Sequence, residues 1–149
     1  MIHPRNPQRR LFMQAIAASG MSATMVHRSY ADAPAMAARP IPASGEMLPV
    51  VGLGTYQSFD VGSGAPERSP VKEVLRLFVQ QGGKLVDSSP MYGPSEAVLG
   101  DLAAELGITA RLFMATKVWT SAREAGIRQM EQSLKRMRVE RMDLMQIHN

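Results

Sequence analysis

From Leu48 onward, short apolar runs alternate with stretches in which apolar residues recur every three or four positions, and Gly, Pro or Ser marks each change. Runs of this kind between turn signals predict strands, and the three-to-four spacing predicts helices with one buried face. The first run, Leu48 to Leu53, enters Gly52-Leu53-Gly54-Thr55-Tyr56 and then a connection holding Gly62, Gly64 and Pro66. Ser69 as cap and Pro70 at the first helical position predict a helix with Val71, Val74, Leu75, Phe78 and Val79 on one face, stopped by Gly82-Gly83. Lys84 to Ser88 reads as the second strand. After the turn Met91-Tyr92-Gly93-Pro94, a second helix aligns Val98, Leu99, Leu102 and Leu106 before Gly107. Leu112 to Lys117 is the third strand, and Ser121 with Glu124 has capping-box spacing ahead of a helix striped by Ile127, Met130, Leu134 and Met137. Such a methionine-bearing stripe reads as core. Met142 to Ile147, apolar apart from Asp143 and Gln146, predicts a fourth strand covered on both faces.

Four strands alternating with three helices predict an α/β fold whose parallel strands are joined by crossovers. A closed (β/α)8 barrel takes about 250 residues. Residues 46–149 therefore read as an incomplete (β/α)8 TIM barrel, about its first four strands and three helices. An open half of this kind exposes strand edges and an apolar inner face, so self-association of the half-barrel is an expectation.

The 149 residues include no cysteine, which excludes a disulfide framework and any thiolate-held metal. The net charge of +4 is confined to the N-terminal segment, because residues 1–40 carry five Arg against one Asp and residues 41–149 carry twelve basic against twelve acidic side chains. A basic stripe of the kind that binds nucleic acid is missing, so no nucleic-acid partner is expected.

Arg5, Arg9 and Arg10, the uncharged stretch from Leu11 to Val26 and the small-residue run ending near Ala38 have the three-part layout of an export signal. The stretch is too short and too polar for the about 20 apolar residues of a spanning helix, so stable membrane insertion is not expected. Arg9-Arg10 followed by Leu11-Phe12-Met13 resembles a twin-arginine signal, which implies the twin-arginine export machinery as a partner and a periplasmic or otherwise exported location. Cleavage is available after Ala33 or after Ala37. The second is favoured, since Pro34 would adjoin the first scissile bond, and residues 1–37 are then the signal.

Asp87, Tyr92, Lys117 and His148 fall at the C-terminal ends of predicted strands or just beyond them, and in a barrel those positions converge on one mouth. Singly, each has an ordinary structural reading: a turn acid, a turn aromatic, a solvated strand end, a core histidine. Together they would make one polar unit at that mouth. A phenol ionises near pH 10 and is a weak donor at neutral pH, a handicap that a neighbouring ammonium reduces.

Gly52-Leu53-Gly54-Thr55, the run LVDSSPMYGPSEAVLG from Leu85 to Gly100, ATKVW from Ala115 to Trp119 and DLMQIHN from Asp143 to Asn149 resemble, in order and spacing, the N-terminal half of the aldo-keto reductase superfamily. The resemblance covers residues 48–149. It implies that Asp87, Tyr92, Lys117 and His148 are the catalytic tetrad of a carbonyl reduction with NADP(H) as cofactor and NAD(H) as the alternative: hydride addition to the carbonyl carbon leaves charge on oxygen, so Tyr92 is the expected proton donor, Lys117 the ammonium beside it, Asp87 the anchor of Lys117 and His148 a hydrogen-bonding group for the carbonyl oxygen. It also implies a small carbonyl substrate and no metal. Gly54, Thr55, Tyr56 and Asp87 then lie at the nicotinamide side, and Trp119 either walls the substrate pocket or packs under its loop. Ser95, Glu96 and Gly100 read as helix-start and packing residues. The family's adenosine and pyrophosphate grip belongs to the second half of its barrel, which the resemblance does not reach, and no G-x-G-x-x-G segment replaces it. The reading is thus NAD(P)H-dependent reduction of an aldehyde or ketone by an exported enzyme seen as a truncated chain. The alternatives are a non-catalytic half-barrel that self-associates and a cofactor-binding redox sensor or regulatory subunit.

Overall fold

Parallel strands cannot be joined by tight turns, and each crossover here is a helix with one apolar face. Strands β3 (Leu53–Gly54), β4 (Leu85–Asp87), β5 (Phe113–Val118) and β6 (Leu144–Ile147) form one sheet in sequential order, every pair parallel. Helices α1 (Ala65–Gln80), α2 (Ser95–Glu105) and α3 (Arg123–Met137) connect them, with a 3-10 turn at Thr109–Arg111. This is a computed structural model, and it describes residues 36–148. The twin-arginine pair, the uncharged stretch and the Ala33 cleavage site lie outside the described residues. All described residues fall in one compact unit beginning at Ala33.

Two further strands precede the sheet. β1 (Ala38–Pro40) and β2 (Met47–Pro49) pair antiparallel around a turn in which Gly45, at φ 74°, donates its N–H to the Ile41 carbonyl over 2.8 Å. The single strand expected from Leu48 to Leu53 is therefore two pieces. Pro49 ends the hairpin and the chain breaks through Val50 and Val51. Gly52 then passes so close to Leu85 that a Cβ would strike that side chain. Regular structure among the described residues is thus already present before residue 46, in the strand from Ala38.

The first helix also starts earlier than Ser69. Gly64 stands at its cap with Pro66 in the first turn, while the Ser69 hydroxyl donates back to the Ala65 carbonyl over 2.7 Å. Pro70 sits inside the helix and removes one ladder bond. Its end is as the glycines predict: Gly82, at φ 89°, and Gly83 donate to the Val79 and Phe78 carbonyls, closing the last turn. Val71, Leu75 and Val79 are buried, whereas Val74 is 48% exposed.

In α3 the capping box does not form. Extended Ala122 holds the cap position without a side-chain bond, one residue past Ser121. The buried face runs through Gly126, Ser133 and Met137, which leaves Ile127 at its exposed margin. Val86, Val98, Leu99, Leu102, Met114 and Met137 belong to one apolar cluster shared by sheet and helices. A Cβ on Gly100 would collide with the Arg136 carbonyl and the Met137 backbone, so α2 and α3 meet backbone to backbone there. The expectation that the fourth strand is covered on both faces fails: β6 is an edge strand among the described residues, with Leu144 38% and Ile147 93% exposed.

Three helical segments are tied by one carboxylate. Asp101 on α2 pairs with Arg68 of α1 at 2.8 Å and with Arg138, just past α3, at 2.6 Å. The Arg68 hydrogen bond, helped by Arg138 and opposed by partial burial, holds the Asp101 carboxyl below its ordinary range. A depressed folded-state value contributes stability above the unfolded-state value near 4, and that contribution is lost as pH falls through the folded one. Asp101→Asn is expected to cost up to about 1 kcal/mol at neutral pH, scaled down for solvent screening of a partly exposed pair. The gap from the parent chain should close in acid. Urea unfolding at both pH values checks this, and a gap independent of pH contradicts it.

Candidate active site at the strand C-terminal ends

Period-two alternation along parallel strands decides which side chains meet. Asp87 is in register with Ala115, so Lys117, two residues on, shares its face of the sheet. Gln146 is in register with Lys117, so His148, again two residues on, continues that face. The His148 N–H donates to the Val118 carbonyl over 2.9 Å and carries the ladder just past β6. The three polar side chains thus project from neighbouring strand ends toward one mouth.

Lys117 is the hub. Its Nζ donates to Asp87 Oδ2 over 2.6 Å and to the Ser88 carbonyl over 2.8 Å, with its side chain only 13% exposed. The same ammonium lies 5.2 Å from the centroid of the Tyr92 ring. Tyr92 meets His148 edge-on, ring centroids 6.1 Å apart at 87°, and Tyr56 packs against it at 5.0 Å, tilted by 57°. All four residues predicted as a tetrad are therefore brought together.

Tyr92 reaches this position through a tight turn. Its N–H donates to the Ser89 carbonyl over 3.0 Å, its own carbonyl accepts from the Ser95 N–H over 3.1 Å, and the Ser89 hydroxyl accepts the Met91 N–H. Gly93 follows at φ 56°, close against Asp60, where a Cβ would strike the carboxylate. Any larger residue would be doubly penalised at that point.

The residues expected at the nicotinamide side divide. Gly54 has nothing within 4 Å of where a Cβ would stand, and Tyr56 is 62% exposed. Thr55 is fully buried, and its hydroxyl donates to the Asp87 carbonyl over 3.0 Å and lies 2.9 Å from Ser88 Oγ. Its side chain fastens β3 to β4. Trp119, half exposed, lines with Thr120, Ser121 and His148 a cavity of about 560 Å³. Gln129 of α3 grips the Trp119 backbone at both its N–H (2.6 Å) and its carbonyl (3.2 Å). Sequence reading missed Gln129, because a lone amide on a helix carries no signal of which loop it will meet.

A second cavity, about 420 Å³, lies at the other end of the sheet between Lys84, Arg111, Phe113 and Arg141. None of the tetrad lines it. Among the described residues no three His, Asp or Glu side chains come together as a metal site, and no helix is long and apolar enough to cross a membrane.

The model of the aldo/keto reductase family matches residues 50–149. The methylglyoxal reductase YeaE of Escherichia coli (strain K12) is 32% identical over 105 residues, which is 68% of this chain and 35% of that protein. The chain spans about a third of the length of the curated relatives it matches. An aldo/keto reductase from Klebsiella pneumoniae, solved in complex with NADP and acetate, superposes with a TM-score of 0.61 at 27% identity, covering 70% of this chain and 36% of that one. The glycerol dehydrogenase of Gluconobacter oxydans superposes with a TM-score of 0.63 at 31% identity, covering 74% and 38%. With two thirds of its length under the family model and the strand-end cluster assembled on the matching sheet, the chain belongs to the aldo/keto reductase family.

Proposed function

We propose that this protein is an NADPH-dependent carbonyl reductase that converts a small aldehyde or ketone to the alcohol. The observation that carries the reading is Lys117, bonded to Asp87 and set against the Tyr92 ring beside His148. When bound, a nicotinamide cofactor supplies the hydride. The open backbone at Gly54, beside Asp87 in the β3–β4 register, suits a flat ring lying against it. Tyr92 donates its phenolic proton to the carbonyl oxygen as charge builds there. The Lys117 ammonium, 5.2 Å from the centre of the Tyr92 ring, offsets the negative charge that this leaves on the phenolate, a preorganised electrostatic contribution. Asp87 and the Ser88 carbonyl hold that ammonium in place, so no reorganisation is needed during the reaction. His148, edge-on to the Tyr92 ring, orients the carbonyl oxygen. Trp119 and Tyr56, both exposed at the mouth, offer apolar walls to the substrate. The NADP-bound relative and the methylglyoxal reductase support NADP(H) and a small carbonyl compound as the ligands.

The location proposed is outside the cytoplasm, supported by the charge layout of the N-terminal segment. Ala37 directly precedes β1, so a cut after it keeps the three paired residues of that strand and gives up one bond, from the Val50 N–H to the Ala37 carbonyl. The mature protein recovered from the exported fraction should begin at Ala38 by N-terminal mass analysis, and a chain retained in the cytoplasm with Met1 in place contradicts export.

Removing the proton donor separates chemistry from binding. Tyr92→Phe is expected to lower NADPH-dependent turnover by about 100- to 10,000-fold, the usual range for a general acid. NADPH binding, followed by quenching of Trp119 fluorescence, should persist. Undiminished turnover would dismiss Tyr92 as the donor. NADPH binding by the parent chain without turnover would favour the sensor reading instead.

A further inference from the structure

Glu96 is fully buried in the first turn of α2, and nothing in the reaction uses it directly. Burying a carboxylate is costly unless its oxygens are bonded, and a helix start alone would be served as well by an exposed acid. Here both oxygens are engaged. Oε1 accepts the Thr116 hydroxyl over 2.7 Å, and Oε2 faces Arg136 Nη1 of α3 at 3.3 Å. The close approach of α2 and α3 at Gly100 is what brings Arg136 within reach.

Thr116 is the residue before Lys117, and alternation turns its side chain to the opposite face of the sheet, toward the helices. Glu96 therefore grips β5 from behind at the residue adjoining the hub lysine. The same helical turn is continuous with the turn that carries Tyr92: the Ser95 N–H donates to the Tyr92 carbonyl, and the Ser95 hydroxyl donates to the Thr55 carbonyl over 3.4 Å. One buried carboxylate thus links the peptide bearing Lys117 to the loop bearing Tyr92.

We propose that Glu96 is a positioning residue that, through Thr116, fixes Lys117 relative to Tyr92 and so sets the rate of the chemical step without touching substrate. The consequence for rate rests on the carbonyl-reductase reading, whereas the coupling of Glu96 to Lys117 rests on the geometry alone. The test keeps these apart. The full chain contains four lysines, Lys72, Lys84, Lys117 and Lys135. Labelling with lysine carrying 13C at Cε gives one signal from each, and the Lys117 signal is the one lost in Lys117→Arg.

Thr116→Val, nearly isosteric, removes the bond to Glu96 and is expected to move the Lys117 signal while leaving the other three in place. In the same variant kcat should fall by about 10- to 100-fold, the scale of a small misplacement of a catalytic group, with KM for the carbonyl substrate nearly unchanged. Thr116→Ser, which restores the hydroxyl, should return both signal and rate, and Glu96→Leu, which removes the acceptor, should reproduce the Thr116→Val signal change. If Glu96→Leu fails to fold, the Thr116 pair decides the matter. An unmoved Lys117 signal in a folded Thr116→Val chain overturns the proposal, as does failure of Thr116→Ser to restore it. A moved and restored signal in a chain whose parent shows no turnover supports the coupling and overturns the reductase reading.

Discussion

The ion pair between Lys117 and Asp87 is the constraint on which the rest of the site depends. Both side chains are largely removed from water at the ends of adjacent strands, and a pair so placed recovers in Coulomb energy only part of what desolvation costs. Its value is geometric. A third bond, to the Ser88 carbonyl, leaves the ammonium little freedom, so the aromatic ring 5.2 Å away meets a fixed charge. The fold supplies this arrangement through register alone, because parallel pairing puts Asp87 beside Ala115 and alternation does the rest.

Behind that face lies a second set of polar contacts. The Thr55 hydroxyl fastens β3 to β4, Glu96 joins α2 to β5, and Gln129 clamps the chain at Trp119. Each lies beside a residue of the mouth, and the first two tie positions 32 and 20 residues apart. The hydrophobic cluster positions sheet and helices as layers, whereas these few bonds fix how far along each strand the functional side chains stand.

Much of this was legible in the sequence, for identifiable reasons. The strand and helix succession followed from apolar periodicity, and the glycine-closed end of α1 followed from Gly82-Gly83, which permit a backbone that other residues resist. The meeting of Asp87, Lys117 and His148 was legible because they sit at strand ends, where position along the chain translates directly into position in space, whereas Tyr92, in the turn past β4, was singled out with them by the family resemblance. Boundaries were less legible. Ser69-Pro70 has the form of a helix start, yet Pro66 provides an equivalent start one turn earlier, and tertiary packing selected it. Ser121 and Glu124 have capping spacing, but the cap position falls on Ala122. The buried role of Glu96 left no mark at all, since a glutamate in a first helical turn ordinarily faces solvent.

If the lysine–aspartate pair acts as one unit, removing either partner should disable the same function, and removing both should do no further harm. The most direct measurement is a double-mutant cycle on NADPH-dependent turnover with Asp87→Asn, Lys117→Met and the two combined. The account predicts that the double variant is no slower than Lys117→Met alone. Losses that multiply, so that the double variant is slower than either single one by the product of their effects, would contradict it.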